Sequence, residues 1–252
     1  MLFVLVIGAE LKKATVAAEP VVLDTAEATA KVVHQLLQAK APVAVDFEGV
    51  DLCRNGELAL VLLSDGTTTW LVDITTMGQA AFEDNGGRLR LLLESKDVLK
   101  VGYDGRGDAD ALHHLHKTGL AQYYDVQIAA CMRQDAEQGR RDPFVHGLGK
   151  AMASFLRGDY KRAGELQSIK LEGLALFAPN HGGSYSVWKE RPLKPALVKY
   201  SAADVALLLE MKEAWTTYSP EVSNVAMAER RLARAVNGSA APKGFHMLRR
   251  DF

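Results

Sequence analysis

Two carboxylates, Asp46 and Glu48, end an apolar run and are separated by a single residue. If this run is a strand, the alternation of side chains puts both carboxylates on the same face of the sheet. Neighbouring like charges raise a pKa and cost stability unless a cation or a basic residue faces them. The pair is therefore a candidate metal site, although the pattern alone is weak because acids at a strand end commonly face solvent.

A further acid lies on a predicted helix towards the end of the chain. Tyr200 and Asp204 are four residues apart, so they share a helix face, which continues through Leu207 and Met211. A carboxylate on an apolar stripe is costly unless it meets an arginine, backbone donors or a metal. Two partners stay open at this point: an ion pair with a residue such as Arg106, or a metal ion.

Residues 100–108 lead from a predicted strand through glycines into a helix. A dinucleotide-binding fingerprint needs the pattern GxGxxG, but residues 105–107 supply only the first two glycines and Asp110 stands where the third belongs. The sequence therefore disfavours a Rossmann-type nucleotide-binding domain. Asp104 and Asp108 both precede the helix or lie in its first turn, and one of them is expected to cap it.

Composition limits the class of protein. The chain has 252 residues, 48% of them hydrophobic, and its 30 Lys and Arg residues nearly balance 31 Asp and Glu residues. This length suits one large domain, and the balanced charge excludes bulk positive charge as the means of binding nucleic acid. Cys53 and Cys131 are isolated, which argues against a disulfide framework or a structural zinc site.

The same features predict an intracellular protein, in the cytoplasm or the nucleus, with no membrane span. An organelle transit peptide stays open, because Glu10 is the sole acid among the first eighteen residues.

Hydrophobic periodicity predicts the elements that position the acids. A helix within residues 21–40 precedes three strands, at 41–47, 58–63 and 68–74, and the turn pairs Asn55-Gly56 and Asp65-Gly66 predict an antiparallel meander. Two later strand candidates, at 98–102 and 122–126, alternate with helices, and a helix over 195–218 follows. We therefore predict an α/β fold: a mixed sheet, made of the meander plus parallel strands, flanked by helices in a single domain.

Together these positions resemble the DEDD superfamily of 3′–5′ exonucleases, in its tyrosine branch. Residues 45–48 resemble the first motif of that family, residues 100–108 the second, and residues 200–204 the third. Residues 188–193 are similar to the WxxRPL run of ribonuclease D-like proteins, and residues 125–127 to their DTQ element. The resemblance covers residues 20–217 and implies a ribonuclease H-like fold.

The resemblance also implies an activity. A 3′–5′ exonuclease of this kind removes nucleoside 5′-monophosphates from the 3′ end of single-stranded RNA or DNA, with RNA favoured here, and uses two Mg²⁺ or Mn²⁺ ions. The metal-binding carboxylates carried over from the family are Asp46, Glu48, Asp108 and Asp204, and Tyr200 is the catalytic tyrosine. The alternative is a catalytically silent exonuclease-like module that binds RNA or a protein.

Three further residues, Tyr103, Arg106 and Arg191, are predicted to contact substrate. For Arg106 the sequence leaves two roles open, because a guanidinium can pair with a carboxylate or reach a scissile phosphate.

The predicted organisation has three parts: an N-terminal extension over residues 1–19, the exonuclease domain over 20–217 with an insertion at about 157–186, and a basic tail over 218–252. The insertion is predicted to be either a flap over the substrate strand or a surface loop. Within the tail, residues 229–252 are predicted to be solvated, with a nucleic-acid-contacting arm as the alternative. A protein partner, if there is one, is expected to bind the insertion or the tail.

Overall fold

A six-stranded mixed sheet, in the order β1-β4-β3-β2-β5-β6, forms the centre of the computed structural model. The structure describes residues 15–16 and 19–242. The predicted N-terminal extension and transit peptide therefore lie almost wholly outside the described residues, as do the last ten residues of the predicted tail. The strands are β1 (Val21–Leu23), β2 (Val43–Val50), β3 (Glu57–Ser64), β4 (Thr69–Asp73), β5 (Lys100–Gly102) and β6 (Tyr123–Asp125).

The pairing of the strands confirms the predicted α/β class. Strands β2, β3 and β4 form the antiparallel meander, and β5 and β6 extend the sheet parallel to β2. The apolar run of β3 is buried almost throughout, as expected for a strand covered on both faces. The strand β2 bulges between Glu48 and Gly49. A Cβ atom at Gly49 would lie 2.0 Å from the carbonyl oxygen of Glu57, so the backbone at the bulge requires glycine.

Helices cover both faces of the sheet. Within the described residues the α-helices are α1 (Ala26–Ala39), α2 (Ile74–Met77), α3 (Leu89–Leu93), α4 (Arg106–His116), α5 (Val126–Gln138), α6 (Leu148–Phe155), α7 (Tyr160–Phe177), α8 (Pro195–Ala206), α9 (Leu208–Trp215) and α10 (Glu221–Asn237). Helices α1, α3, α4 and α10 pack in one apolar core, and α6 to α9 pack in the other. None of the helices among the described residues is long and apolar enough to span a membrane.

The segment predicted as an insertion is mostly helical. Helix α7 occupies residues 160–177, and its buried residues are Leu166 and Gly173. The prediction of a surface loop is therefore wrong for this stretch, whereas a flap over the substrate strand stays a prediction. Its periodicity was hard to recognise because the buried face of α7 carries a glycine and a lysine, Lys170, where apolar residues would normally mark a helix.

The segment predicted as a basic tail also contains a packed helix. In α10 the buried residues, among them Asn224, Ala228 and Arg231, recur at helical spacing and contact β6 and α4. The prediction of a solvated tail, which covers residues 229–252, is therefore wrong for residues 229–237. The prediction relied on the number of basic residues, but Arg231 belongs to the buried face of the helix and not to a solvated run of basic residues.

Candidate active site

Three of the four carboxylates predicted to bind metal lie together. Asp46 and Glu48 alternate with the core residues Val45 and Phe47 along β2, so they point to the opposite face of the sheet, towards Asp204 of α8. One oxygen from each of these three carboxylates lies within 4.8 Å of the other two. We call Asp46, Glu48 and Asp204 the acidic cluster.

The fourth predicted carboxylate, Asp108, lies beside the acidic cluster and outside the 4.8 Å group. It occupies the first turn of α4. Burial and the charges of Asp46, Asp104 and Asp125 raise the pKa of Asp108 well above its ordinary value. The prediction that Asp104 or Asp108 caps α4 is wrong, since the helix begins after Gly105 without a side-chain cap.

The carboxylates of the acidic cluster repel one another. Burial and the charge of Asp204 raise the pKa of Asp46 to about 8, and burial together with Asp204 and Asp46 raises the pKa of Glu48 well above its usual range. Carboxylate oxygens are the ligands that Mg²⁺ and Mn²⁺ prefer. The donor set therefore fits a hard divalent cation, which would relieve the repulsion.

Sequence reasoning missed a lysine in this site. Lys170 of α7 forms an ion pair with Asp204, and its ammonium lies 3.7 Å from the centroid of the Tyr200 ring. Burial raises the pKa of Asp204, and the ammonium of Lys170 opposes that rise. The sequence does contain a signal for this lysine. Lys170 lies at helical spacing from Leu166 and Gly173, which puts it on the buried face of α7.

Tyr200 lies one turn before Asp204 on α8 and is held by aromatic neighbours. Its ring contacts Phe177 edge-to-face, with centroids 4.9 Å apart, and Trp188 at 6.3 Å. Burial and the nearby charges of Asp204, Glu48 and Asp46 raise the pKa of the Tyr200 phenol above its ordinary value. The hydroxyl is therefore protonated at neutral pH.

A cleft of about 380 Å³ opens beside Glu48. One wall is the segment that follows Glu48 in the chain, and the other includes the aromatic side chains of Phe177, Tyr185 and Trp188. We call this space the aromatic cleft. In this cleft a carboxylate of the acidic cluster lies near aromatic side chains on which a planar ring can stack.

The three residues predicted to contact substrate have partners within the protein. Tyr103 is buried and its hydroxyl donates to the carbonyl of His146. Arg106 is buried and makes two hydrogen bonds to Asp104, at 2.5 and 2.8 Å.

Arg191 donates to both carboxylate oxygens of Asp73, at 2.5 Å each. These contacts hold loops and strands together, and substrate contact by Tyr103, Arg106 and Arg191 stays a prediction. Asp204 forms an ion pair with Lys170, and Arg106 forms one with Asp104.

A buried network fixes the sheet edge next to this site. Asp125 caps α5 through the amide of Gln127, accepts a hydrogen bond from the amide of Asp104, and forms an ion pair with Arg231 of α10. Arg231 also donates to the Gln127 side chain at 2.8 Å. The element that resembles DTQ therefore anchors α10 to the end of β6.

The sequence is similar to those of known proteins. The mouse piRNA biogenesis protein EXD1 is 28% identical over 176 residues, which are 70% of this chain and 29% of that protein. The human protein of the same name is 30% identical over 171 residues, 68% of this chain and 31% of that protein. The chain therefore spans about a third of the length of the curated relatives it matches.

Solved structures show the same fold. The complex of Trypanosoma brucei RNase D with RNA U12 has a TM-score of 0.68 at 20% identity and covers 90% of this chain and 74% of that chain. Escherichia coli RNase D has a TM-score of 0.57 at 20% identity, with 85% and 51% covered. The model of the 3′–5′ exonuclease family matches residues 20–217. The chain therefore belongs to the 3′–5′ exonuclease family.

Proposed function

We propose that this protein is a metal-dependent 3′–5′ exonuclease that removes nucleoside 5′-monophosphates from single-stranded nucleic acid, with RNA preferred. The observation that carries the proposal is the convergence of three carboxylates, Asp46, Glu48 and Asp204, within 4.8 Å. In a chain of this family, so costly an arrangement of like charges is explained if the three carboxylates bind a cation.

The residues of the acidic cluster would hold the first ion, and Asp108, beside Asp46, would contribute to the second. Two Mg²⁺ or Mn²⁺ ions, when bound, supply a nucleophilic water and neutralise charge on the attacking and leaving oxygens. The carboxylates would determine the positions of the ions, because strand β2 and helices α4 and α8 hold these side chains in place.

Tyr200 orients the attacking water. Because its phenol is protonated, it acts through hydrogen bonds and does not accept the proton. The water oxygen forms a bond to the terminal phosphorus, the bond from phosphorus to the 3′ oxygen of the preceding nucleotide breaks, and that oxygen leaves with a proton. The products are a nucleoside 5′-monophosphate and a strand shortened by one nucleotide.

The aromatic cleft supports a nucleic-acid substrate. Phe177 and Tyr185 are partly exposed next to Glu48, and stacking on aromatic rings is a general means of holding unpaired bases. RNA is favoured because the similar Trypanosoma brucei RNase D has been solved with RNA U12 and with GMP. The name of the EXD1 relatives, which refers to piRNA biogenesis, points in the same direction.

Product analysis tests this proposal. A single-stranded RNA with a 3′-terminal label is incubated with Mn²⁺, and the released label is separated by chromatography, with Asp204→Asn as the matched variant. We expect release of labelled nucleoside 5′-monophosphate by the wild type alone. Labelled oligonucleotides would contradict terminal cleavage, and a labelled nucleoside without phosphate would contradict the proposed choice of the bond that breaks.

A second candidate function is a catalytically silent module that binds RNA. The observation that favours it is the ion pair of Lys170 with Asp204, because an ammonium neutralises part of the acidic cluster without metal. Thermal unfolding separates the two functions. A metal-binding enzyme gains stability as Mn²⁺ is added, whereas a silent module that binds RNA but no metal does not.

A further inference from the structure

Lys170 reaches the acidic cluster from α7 and has lost most of its water there. Its ammonium contacts the carboxylate of Asp204, lies 3.7 Å from the Tyr200 ring centroid, and lies 3.5 Å from the main-chain oxygen of Tyr200. The side chain is 15% exposed. A carboxylate, a carbonyl and an aromatic face therefore replace water around the positive charge.

This ammonium binds the same carboxylate that the proposed function assigns to a metal ion. An oxygen of Asp204 lies within 4.8 Å of oxygens from Asp46 and Glu48, so an ion held by all three would lie a few ångströms from Lys170. Like charges at such a distance repel strongly in a partly buried site. The ammonium and the ion therefore compete for Asp204.

The side chain of Lys170 can move while its helix stays in place. Arg162, two turns earlier on α7, donates to Glu210 of α9 at 2.9 Å, and Gly173 packs against Tyr200. These contacts fix the backbone of α7 at both sides of Lys170. The flexible four-carbon stem of a lysine lets the ammonium leave Asp204 without undocking the helix.

We propose that Lys170 is a built-in competitor for the divalent ion: it neutralises part of the acidic cluster before metal binds and is displaced from Asp204 when metal arrives. This inference rests on the proposed function, because it takes the acidic cluster to be a metal site. It makes Lys170 a determinant of metal affinity. The cluster then loads at a higher Mn²⁺ concentration than the same carboxylates would without the lysine.

A Mn²⁺ titration without nucleic acid tests the inference, with free Mn²⁺ measured by electron paramagnetic resonance. The variants are Lys170→Met, which keeps the apolar stem over Tyr200, Lys170→Arg, which keeps the charge, and Lys161→Met, which removes an exposed lysine of the same helix. We expect the Mn²⁺ affinity of Lys170→Met to exceed that of the wild type by at least about tenfold, since no ammonium has to be displaced. Lys170→Arg and Lys161→Met should keep the wild-type affinity.

The outcomes separate this inference from the proposed function. Equal or weaker Mn²⁺ binding by Lys170→Met, beside clear binding by the wild type, would overturn the role of Lys170 and leave the metal site standing. No binding by either protein would overturn both. Melting curves in EDTA confirm that Lys170→Met is folded, and Lys170→Gln must show the same tightening, which excludes an effect particular to the methionine side chain.

Discussion

Gly173 of α7 lies directly against the ring of Tyr200 on α8. A Cβ atom added at Gly173 would lie 2.4 Å from Cδ2 of Tyr200 and 2.6 Å from Cγ. Such distances are shorter than any real contact, so the ring or the helix would have to shift. The close approach of α7 to α8 thus fixes both the orientation of Tyr200 and the reach of Lys170.

We predict that Gly173→Ala lowers exonuclease turnover by about tenfold or more, because displacing a positioned group by about 1 Å is costly for catalysis. The added methyl group also overpacks the contact, which costs about 1–3 kcal/mol of unfolding free energy. Turnover on single-stranded RNA and chemical unfolding measure the two effects.

Gly164 offers the matched control on the same helix. A Cβ at Gly164 meets no atom within 4 Å. Gly164→Ala should therefore raise the unfolding free energy by about 0.5–1 kcal/mol, through better helix propensity, and leave turnover unchanged. Equal effects of the two substitutions would refute the positioning role of Gly173.

Tyr200→Phe keeps the ring in its aromatic surroundings and removes the hydroxyl alone. We expect turnover to fall by about 100-fold, because the attacking water loses the hydrogen bond that orients it, while RNA affinity in Ca²⁺ stays within about twofold. Single-turnover rates and filter binding give the two numbers. Unchanged turnover would remove Tyr200 from the mechanism, and lost RNA binding would assign it to substrate binding.

Arg231 anchors α10 through a buried ion pair with Asp125. We predict that Arg231→Met lowers the unfolding free energy by about 3–5 kcal/mol, because the carboxylate of Asp125 is left buried without its partner. Arg230 is exposed, so Arg230→Met should change stability by less than about 0.5 kcal/mol. Equal melting temperatures for the two variants would show that α10 contributes little to the fold.

The acidic cluster predicts how the stability of the metal-free protein changes with pH. The pKa of Asp46 is raised to about 8 in the folded protein, whereas an unfolded aspartate titrates near pH 4. Between these values the folded state holds a proton that the unfolded state has released. The free energy of unfolding therefore falls as pH rises towards 8, by at most about 1.4 kcal/mol per pH unit for this one group.

Melting temperatures in EDTA from pH 5.5 to 8.5 check this expectation, with Asp46→Asn as the comparison. The wild type should lose stability with rising pH more steeply than the variant. Parallel curves would mean that Asp46 titrates normally in the fold.

The acids were predictable from the sequence because local spacing determines their direction. Alternation along β2 put Asp46 and Glu48 on one face, and the apolar stripe of α8 turned Asp204 towards the core. The partner of Asp204 was not predictable in this way. It comes from Lys170, thirty-four residues earlier in the chain, through the packing of α7 on α8.

Helix α10 also shows that short-range sequence patterns do not reveal distant partners. Arg231 belongs to a run of basic residues, and by composition alone that run is typical of a solvated tail. Its burial depends on a carboxylate, Asp125, that lies at the end of a distant strand. Short-range patterns cannot reveal such a pair. The ion pair of Arg106 with Asp104 is likewise visible only in the fold.

The central claim is metal-dependent removal of nucleotides from a 3′ end, and one measurement tests it most directly. A 5′-labelled single-stranded RNA is incubated with Mn²⁺ and either the wild-type protein or Asp46→Asn, and the products are resolved by length. The account predicts a ladder that shortens from the 3′ end with the wild type, and an intact strand with EDTA or with Asp46→Asn. An intact strand with the wild type in Mn²⁺, or the same ladder with Asp46→Asn, would contradict it.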